Sequence, residues 1–298
     1  MFKKTAIITG IALAMSAGAQ ADYNWELGAG ATFGTVTQEL KDNGQKIRKI
    51  DTDIDEVDVS ATWYMETVDT SKGPLGEAAF LDASSSIKVE FGDGKIKRTQ
   101  QNNPDGQTYS ADMRYVAEGP GWKLSGWLVD LGYEREDIGD LKVDQYNVGI
   151  GKYVTDNTTV VLNYESTNLN NGNGSGIDQY GGNIDHFFAI GDGGLKASVN
   201  FARSYVNNRE DIDIYGLNAT YYLGNNIGLG INWEQQEESG YEINAYGVSA
   251  EWFISESFAV TMAYNDVVAD DVKVELPGNN LKYDVSMTEL VATGIFRF

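Results

Sequence analysis

The chain has 298 residues, no cysteine, and a formal net charge of −22 from 22 Lys+Arg against 44 Asp+Glu. That balance argues against nucleic acid and other polyanions as partners, since binding them needs a basic footprint. A hydrophobic content of 42% and a mean hydropathy of −0.34 exclude a helical membrane protein, but not a barrel in which only every second residue meets lipid.

Residues 1–21 read as a cleaved secretory signal. Lys3 and Lys4 give a positive start, 7–17 are apolar, and Ala19-Gln20-Ala21 offers small residues for cleavage before Asp22. The apolar stretch is well short of the roughly 20 residues a spanning helix needs. Loss of the two lysines makes the mature chain two charges more negative. An exported chain without disulfides must find stability elsewhere, and a closed hydrogen-bonded barrel supplies it.

From Asp22 onward the chain alternates apolar and polar residues in segments of about ten, parted by Gly, Asn and Asp clusters. Trp25, Leu27, Ala29, Ala31 and Phe33 take one face of the first segment, and Glu26, Gly28, Gly30 and Thr32 the other. Val57, Val59, Ala61 and Trp63 then oppose Glu56, Asp58, Ser60 and Thr62. The same phase recurs in fourteen expected strands: 24–36, 52–65, 84–92, 108–117, 121–133, 142–154, 158–166, 178–190, 195–205, 211–223, 227–236, 241–254, 257–266 and 283–298. Counts of 12 or 16 are the alternatives. Between Leu124 and Trp127 the phase slips by one, which predicts a bulge near Ser125-Gly126. Every second connection is tight, as at Thr155-Asp156-Asn157 or Gly224-Asn225-Asn226, and those between are longer and polar, around 37–51, 93–107, 134–141, 167–177 and 267–281. Outer-membrane barrels sort their loops this way, with short periplasmic turns, so both termini are expected in the periplasm. Residues 71–82 break the short-turn rule, and Pro74 followed by Leu75, Glu77, Ala78, Ala79 and Leu81 suits about one helical turn. The last strand ends on Phe296 and Phe298, an aromatic stripe expected to face lipid and to serve the barrel-assembly machinery as a signal.

The run Gly73 to Ile87, GPLGEAAFLDASSSI, resembles a segment of the proteobacterial putative (general) porin family. There a G-P-L-x-E-A-A-F-L run leads into a strand that begins with small residues and serines. Across the rest of the chain the resemblance is one of pattern: signal, alternating strands and terminal Phe298. The resemblance implies a porin-like channel in the outer membrane. Ala83 stands where the family usually has a basic residue, so no role is carried over to it.

Residues that could carry other chemistry are few. His186 is the only histidine, and Asp185 beside it points to the opposite face, so a structural or lumen-facing histidine is expected rather than a catalytic one. Asp51-Thr52-Asp53-Ile54-Asp55 opens like a calcium loop, but Glu56 and Thr62 stand where glycine and glutamate are needed. No catalytic, metal or cofactor site is assigned.

Fourteen strands tilted by ~40° give a barrel ~28 Å across, wide enough to hold water. Inward parity puts Glu56, Asp58, Lys88, Glu90, Asp112, Arg114 and Lys123 on the pore wall, followed by Glu165, Lys196, Glu234, Glu251, Glu289 and Arg297. Acidic residues outnumber basic ones, so the expected function is passive diffusion of small hydrophilic solutes and ions with a mild cation preference. Expected partners are outer-membrane lipid and lipopolysaccharide, with monomer and homotrimer both open. Two other classes stay open: an outer-membrane protease or lipase, and a closed structural or adhesive barrel. For a closed barrel, the loop at 93–107 is the first candidate to fold inward.

Overall fold

The structure is a computed structural model, described over residues 22–42, 45–98, 104–117, 126–170, 175–206, 211–238, 241–276 and 279–298. Residues 1–21, expected to be a cleaved signal, and Lys123 lie outside the described residues.

Alternation at period two closes the chain on itself. The strands are β1 (Tyr23–Asp42), β2 (Gln45–Val68), β3 (Ser86–Arg98), β4 (Asp105–Val116), β5 (Trp127–Ile138), β6 (Leu141–Thr155) and β7 (Thr158–Leu169). They continue with β8 (Ser175–Ile190), β9 (Gly193–Val206), β10 (Ile212–Leu223), β11 (Ile227–Glu238), β12 (Tyr241–Ser255), β13 (Phe258–Leu276) and β14 (Asn279–Arg297). Each pairs antiparallel with its sequence neighbours, and β14 pairs with β1 to close the ring of fourteen. No edge is left, as lipid requires. No described helix is long and apolar enough to cross a membrane.

The outer surface carries the apolar parity. Trp25, Leu27, Phe33, Val59, Leu162 and Ile231 are all exposed, though they are large and apolar. Such a band has lipid as its solvent. Aromatic residues pair across neighbouring strands: Trp25–Trp63 at 6.4 Å, Tyr133–Tyr146 at 5.1 Å and Tyr164–Tyr180 at 4.9 Å between ring centroids. Outer-membrane barrels carry lipid-exposed aromatic residues of this kind at their membrane interfaces. Tight turns need backbone that side chains resist. Gly191 and Gly224 have φ of 60° and 65° with open space around them, so conformation alone calls for glycine there.

Some boundaries differ from those expected. The loops expected at 37–51 and 267–281 are mostly strand, with Thr37 paired to Asp51 and Val285 to Ala269. Hydrophobic alternation fades where a hairpin leaves the membrane, but ladder hydrogen bonds continue in water. β5 runs over Trp127–Ile138, and residues 121–125 of the strand expected at 121–133 lie outside the described residues. Ser125 lies outside the described residues; Gly126 has a positive φ of 78° and its N–H bonds Ala117 O at 3.0 Å. Of 93–107, the first candidate to fold inward in a closed barrel, the described residues belong mostly to β3 and β4, and 99–103 lie outside the described residues. The inward segment comes from the opposite rim.

That segment is the connection between β2 and β3. It carries two 3-10 turns, Thr70–Lys72 and Leu75–Glu77, and one helical turn, α1 (Ala78–Leu81). Asp69 caps the first turn by accepting from the Ser71 N–H at 2.9 Å.

Candidate functional site

The buried apolar clusters of this barrel lie where residues 69–85 meet the wall. Ala78 packs with Tyr23, Tyr64 and Val68; Leu75 with Phe253, Ala259 and Ile295; Ala83 against Val116, Leu128 and Val161. These wall residues come from β1, β2, β4, β5, β7, β12, β13 and β14. The segment therefore lies across the mouth as a floor, seated by burial on several sides at once.

Polar pins complete the seating. Leu75 N–H donates to Asn225 O, in the β10–β11 turn, at 3.0 Å. Tyr153 of β6 donates its hydroxyl to Phe80 O at 3.0 Å. Glu77 takes Lys196 Nζ on one carboxylate oxygen and the Tyr222 hydroxyl on the other, each at 2.9 Å. Lys196 Nζ also sits 3.0 Å from the centroid of the Phe80 ring. Arg297 Nη1 donates to Leu75 O at 2.8 Å. Within the segment, Lys72 pairs with Asp82.

Above the floor is a cavity of about 820 Å³. Glu56, Asp58, Lys88, Glu90, Asp112, Arg114 and Glu165 line it. Lys196, Glu251 and Arg297 lie lower, against the floor: Glu251 Oε2 abuts Gly76. Glu234 accepts from Gln236, and Glu289 from Asn265 at 3.1 Å. The Phe296 and Phe298 rings lie 5.6 Å apart and tilted; Phe298 is exposed, whereas Phe296, also expected to face lipid, is buried. Glu26, Glu77 and Asp130 were not among the expected site residues, though the first and last line the cavity. The parity of β1 and β5 carried that signal for Glu26 and Asp130; nothing local marked Glu77.

The described cations on this wall are all neutralised. Lys88 pairs with Glu90 at 2.6 Å, Arg114 with both oxygens of Asp130 at 2.8 and 2.9 Å, Lys196 with Glu77 at 2.9 Å and Arg297 with Glu26 at 2.9 Å. Glu56, Asp58, Asp112 and Glu165 carry no ion pair among the described residues. The net field of the cavity is therefore negative.

His186 faces outward rather than into the lumen, with Nδ1 2.7 Å from Thr158 Oγ1 and its ring 4.0 Å from Phe188. Strand parity puts Asp185 on the other face, where it accepts from Thr159 and Ser198. Among the described residues, no serine-histidine-aspartate arrangement forms around this histidine. The Asp51–Asp55 run lies in β2, with Asp51 accepting from Thr37 and Asp53 from Thr35 across the ladder. No group of acidic, histidine or cysteine residues able to hold a metal occurs among the described residues.

A closed ring of fourteen strands with a lipid-facing apolar exterior and a charged interior defines a multi-pass β-barrel of the bacterial outer membrane. Residues 37–192 match the family described as "Putative general bacterial porin", and the chain belongs to that family. No curated protein sequence matches it. Among solved structures, it is similar to the outer membrane protein Omp33 of Acinetobacter baumannii, with 16% identity and a TM-score of 0.57, covering 94% of this chain and all of that one. It is also similar to a mutant of the TodX monoaromatic hydrocarbon channel, with 10% identity and a TM-score of 0.50, covering 96% of this chain and 92% of the other. At these identities the likeness is one of fold.

Proposed function

We propose that this porin passes small hydrophilic solutes and ions by passive diffusion, with a mild preference for cations. The neutralisation of every described lumen cation carries the reading. Carboxylates at Glu56, Asp58, Asp112 and Glu165 then set the potential that a permeating ion meets. Glu90, Lys88 and Arg114 act as local pairs that keep the wall wet and add little net field. With residues 69–85 seated the mouth is floored, so passage requires the floor to leave its seat. Nothing covalent opposes this. The segment joins two adjacent strands, β2 and β3, and can swing out without breaking a ladder. Phe298 and Phe296 serve as the end recognised by the assembly machinery.

Reversal potentials across planar bilayers holding a salt gradient test the proposal. The expected sign is that of cation selectivity, weakening as salt rises because exposed charges are screened. Anion-selective reversal potentials would overturn it.

A further inference from the structure

The pairing of β14 with β1 differs from the other thirteen ladders. Those join strands adjacent in sequence and form as hairpins at small loop-closure cost. The β1–β14 ladder, from Glu26 opposite Arg297 to Asp42 opposite Leu281, joins opposite ends of the chain. It is the seam at which the sheet becomes a barrel.

Arg297 stands at the periplasmic end of that seam and reaches both sides of it. Its Nε donates to Glu26 Oε2 of β1 at 2.9 Å, and its Nη1 donates to Leu75 O of the floor at 2.8 Å. The guanidinium carbon lies 4.6 Å from the Tyr23 ring of β1 and 4.6 Å from the Phe253 ring of β12. The side chain is only 7% exposed. The guanidinium fork has fixed angles, so it meets a β1 carboxylate and a floor carbonyl together only when β1 and β14 are in register. The apolar contacts straddle the same line. Leu75 packs on Phe253, Ala259 and Ile295 to one side of the seam, and Ala78 on Tyr23, Tyr64 and Val68 to the other. In an open sheet these two seats would be apart.

We propose that residues 69–85 form a closure-dependent staple. The floor seats only in a barrel whose first and last strands have paired, and once seated it holds that seam shut, with Arg297 as the coupling residue. Reciprocity follows from linkage: the factor by which closure favours seating is the factor by which seating favours closure. The inference goes beyond the transport reading and does not depend on it.

The absence of cysteine makes the test clean. In the full-length barrel, Ala78→Cys places a thiol in the buried seat, and its reaction rate with a membrane-impermeant maleimide measures unseating. The temperature at which the folded band gives way to the unfolded band on a detergent gel measures opening of the barrel. Arg297→Gln is expected to speed labelling about ten-fold or more, the scale of one lost charge-assisted hydrogen bond, and to lower the gel transition. Replacing 74–79 by Gly-Ser repeats is expected to lower the transition when Arg297 is present, and to add little when it is Gln. Where Arg297→Gln fails to insert, Glu26→Gln leaves β14 intact and carries the same two expectations. Unchanged labelling in both variants, or transition shifts that simply add, would overturn the staple.

Discussion

Removing the Lys196 ammonium should unseat the floor. Lys196 and Glu77 are 15% and 12% exposed, and the carboxylate of Glu77 has the Tyr222 hydroxyl as its other partner. Glu251 Oε2 lies close by, against Gly76. In Lys196→Met the Glu77 charge stays in that enclosed site without its cation. Breaking a buried ion pair by removing one partner costs about 3–5 kcal/mol. The cost falls on the seated state alone, since an unseated Glu77 faces water. Taking about 3 kcal/mol, the ratio of seated to unseated floor falls about a hundred-fold. Single-channel recording in planar bilayers reads this as a rise in the fraction of time spent conducting. The charge-swapped pair, Lys196→Glu with Glu77→Lys, should return the channel toward the parent's behaviour. An unchanged open fraction in Lys196→Met would refute the argument that this pair holds the floor. So would a swapped pair that leaks as much as the single variant.

Three further outcomes are expected. Glu56→Gln combined with Asp58→Asn removes two carboxylates that no described lysine or arginine pairs with, so reversal potentials should move toward those of a non-selective pore, whereas Lys88→Gln should move them the other way by freeing the Glu90 carboxylate that it neutralises. Gly76→Val places a Cβ onto the Glu251 carboxylate and against the Tyr222 ring, so the floor should fail to seat and conductance should rise with the barrel still folded on detergent gels. Asp69, on the floor segment outside the spanning strands, is held below the ordinary carboxylate value of 3.8 chiefly by the Ser71 hydroxyl and N–H. Because the folded value is the lower one, its contribution is present at neutral pH and is lost as pH falls through that lowered value; the fraction of time spent conducting in planar bilayers should rise there, and Asp69→Asn should flatten that acid limb.

Most of the barrel was legible in the chain because the side a residue faces is a local property. Once Trp25, Leu27 and Phe33 alternate with Glu26, Gly28 and Thr32, period-two geometry gives each a face without reference to any other strand. Repeated fourteen times, with loop lengths alternating between, that geometry leaves a closed sheet with an oily exterior as its consistent solution. The ends of β1, β2, β13 and β14 were less legible. Outside the membrane both faces of a hairpin are polar, so pairing continues after the hydrophobic signal has stopped.

The path of residues 69–85 was decided only by the tertiary structure. The sequence showed a short helical turn breaking the short-turn rule, but not that Leu75, Ala78 and Ala83 would find their seats on distant strands. The charge pairs show the same limit. Glu77 meets Lys196 across 119 residues, and Arg297 meets Glu26 across 271. Local alternation can say that such a residue faces inward. Which opposite charge it meets there depends on ring closure and on how deep the floor sits, and these are long-range quantities that no short window of sequence contains.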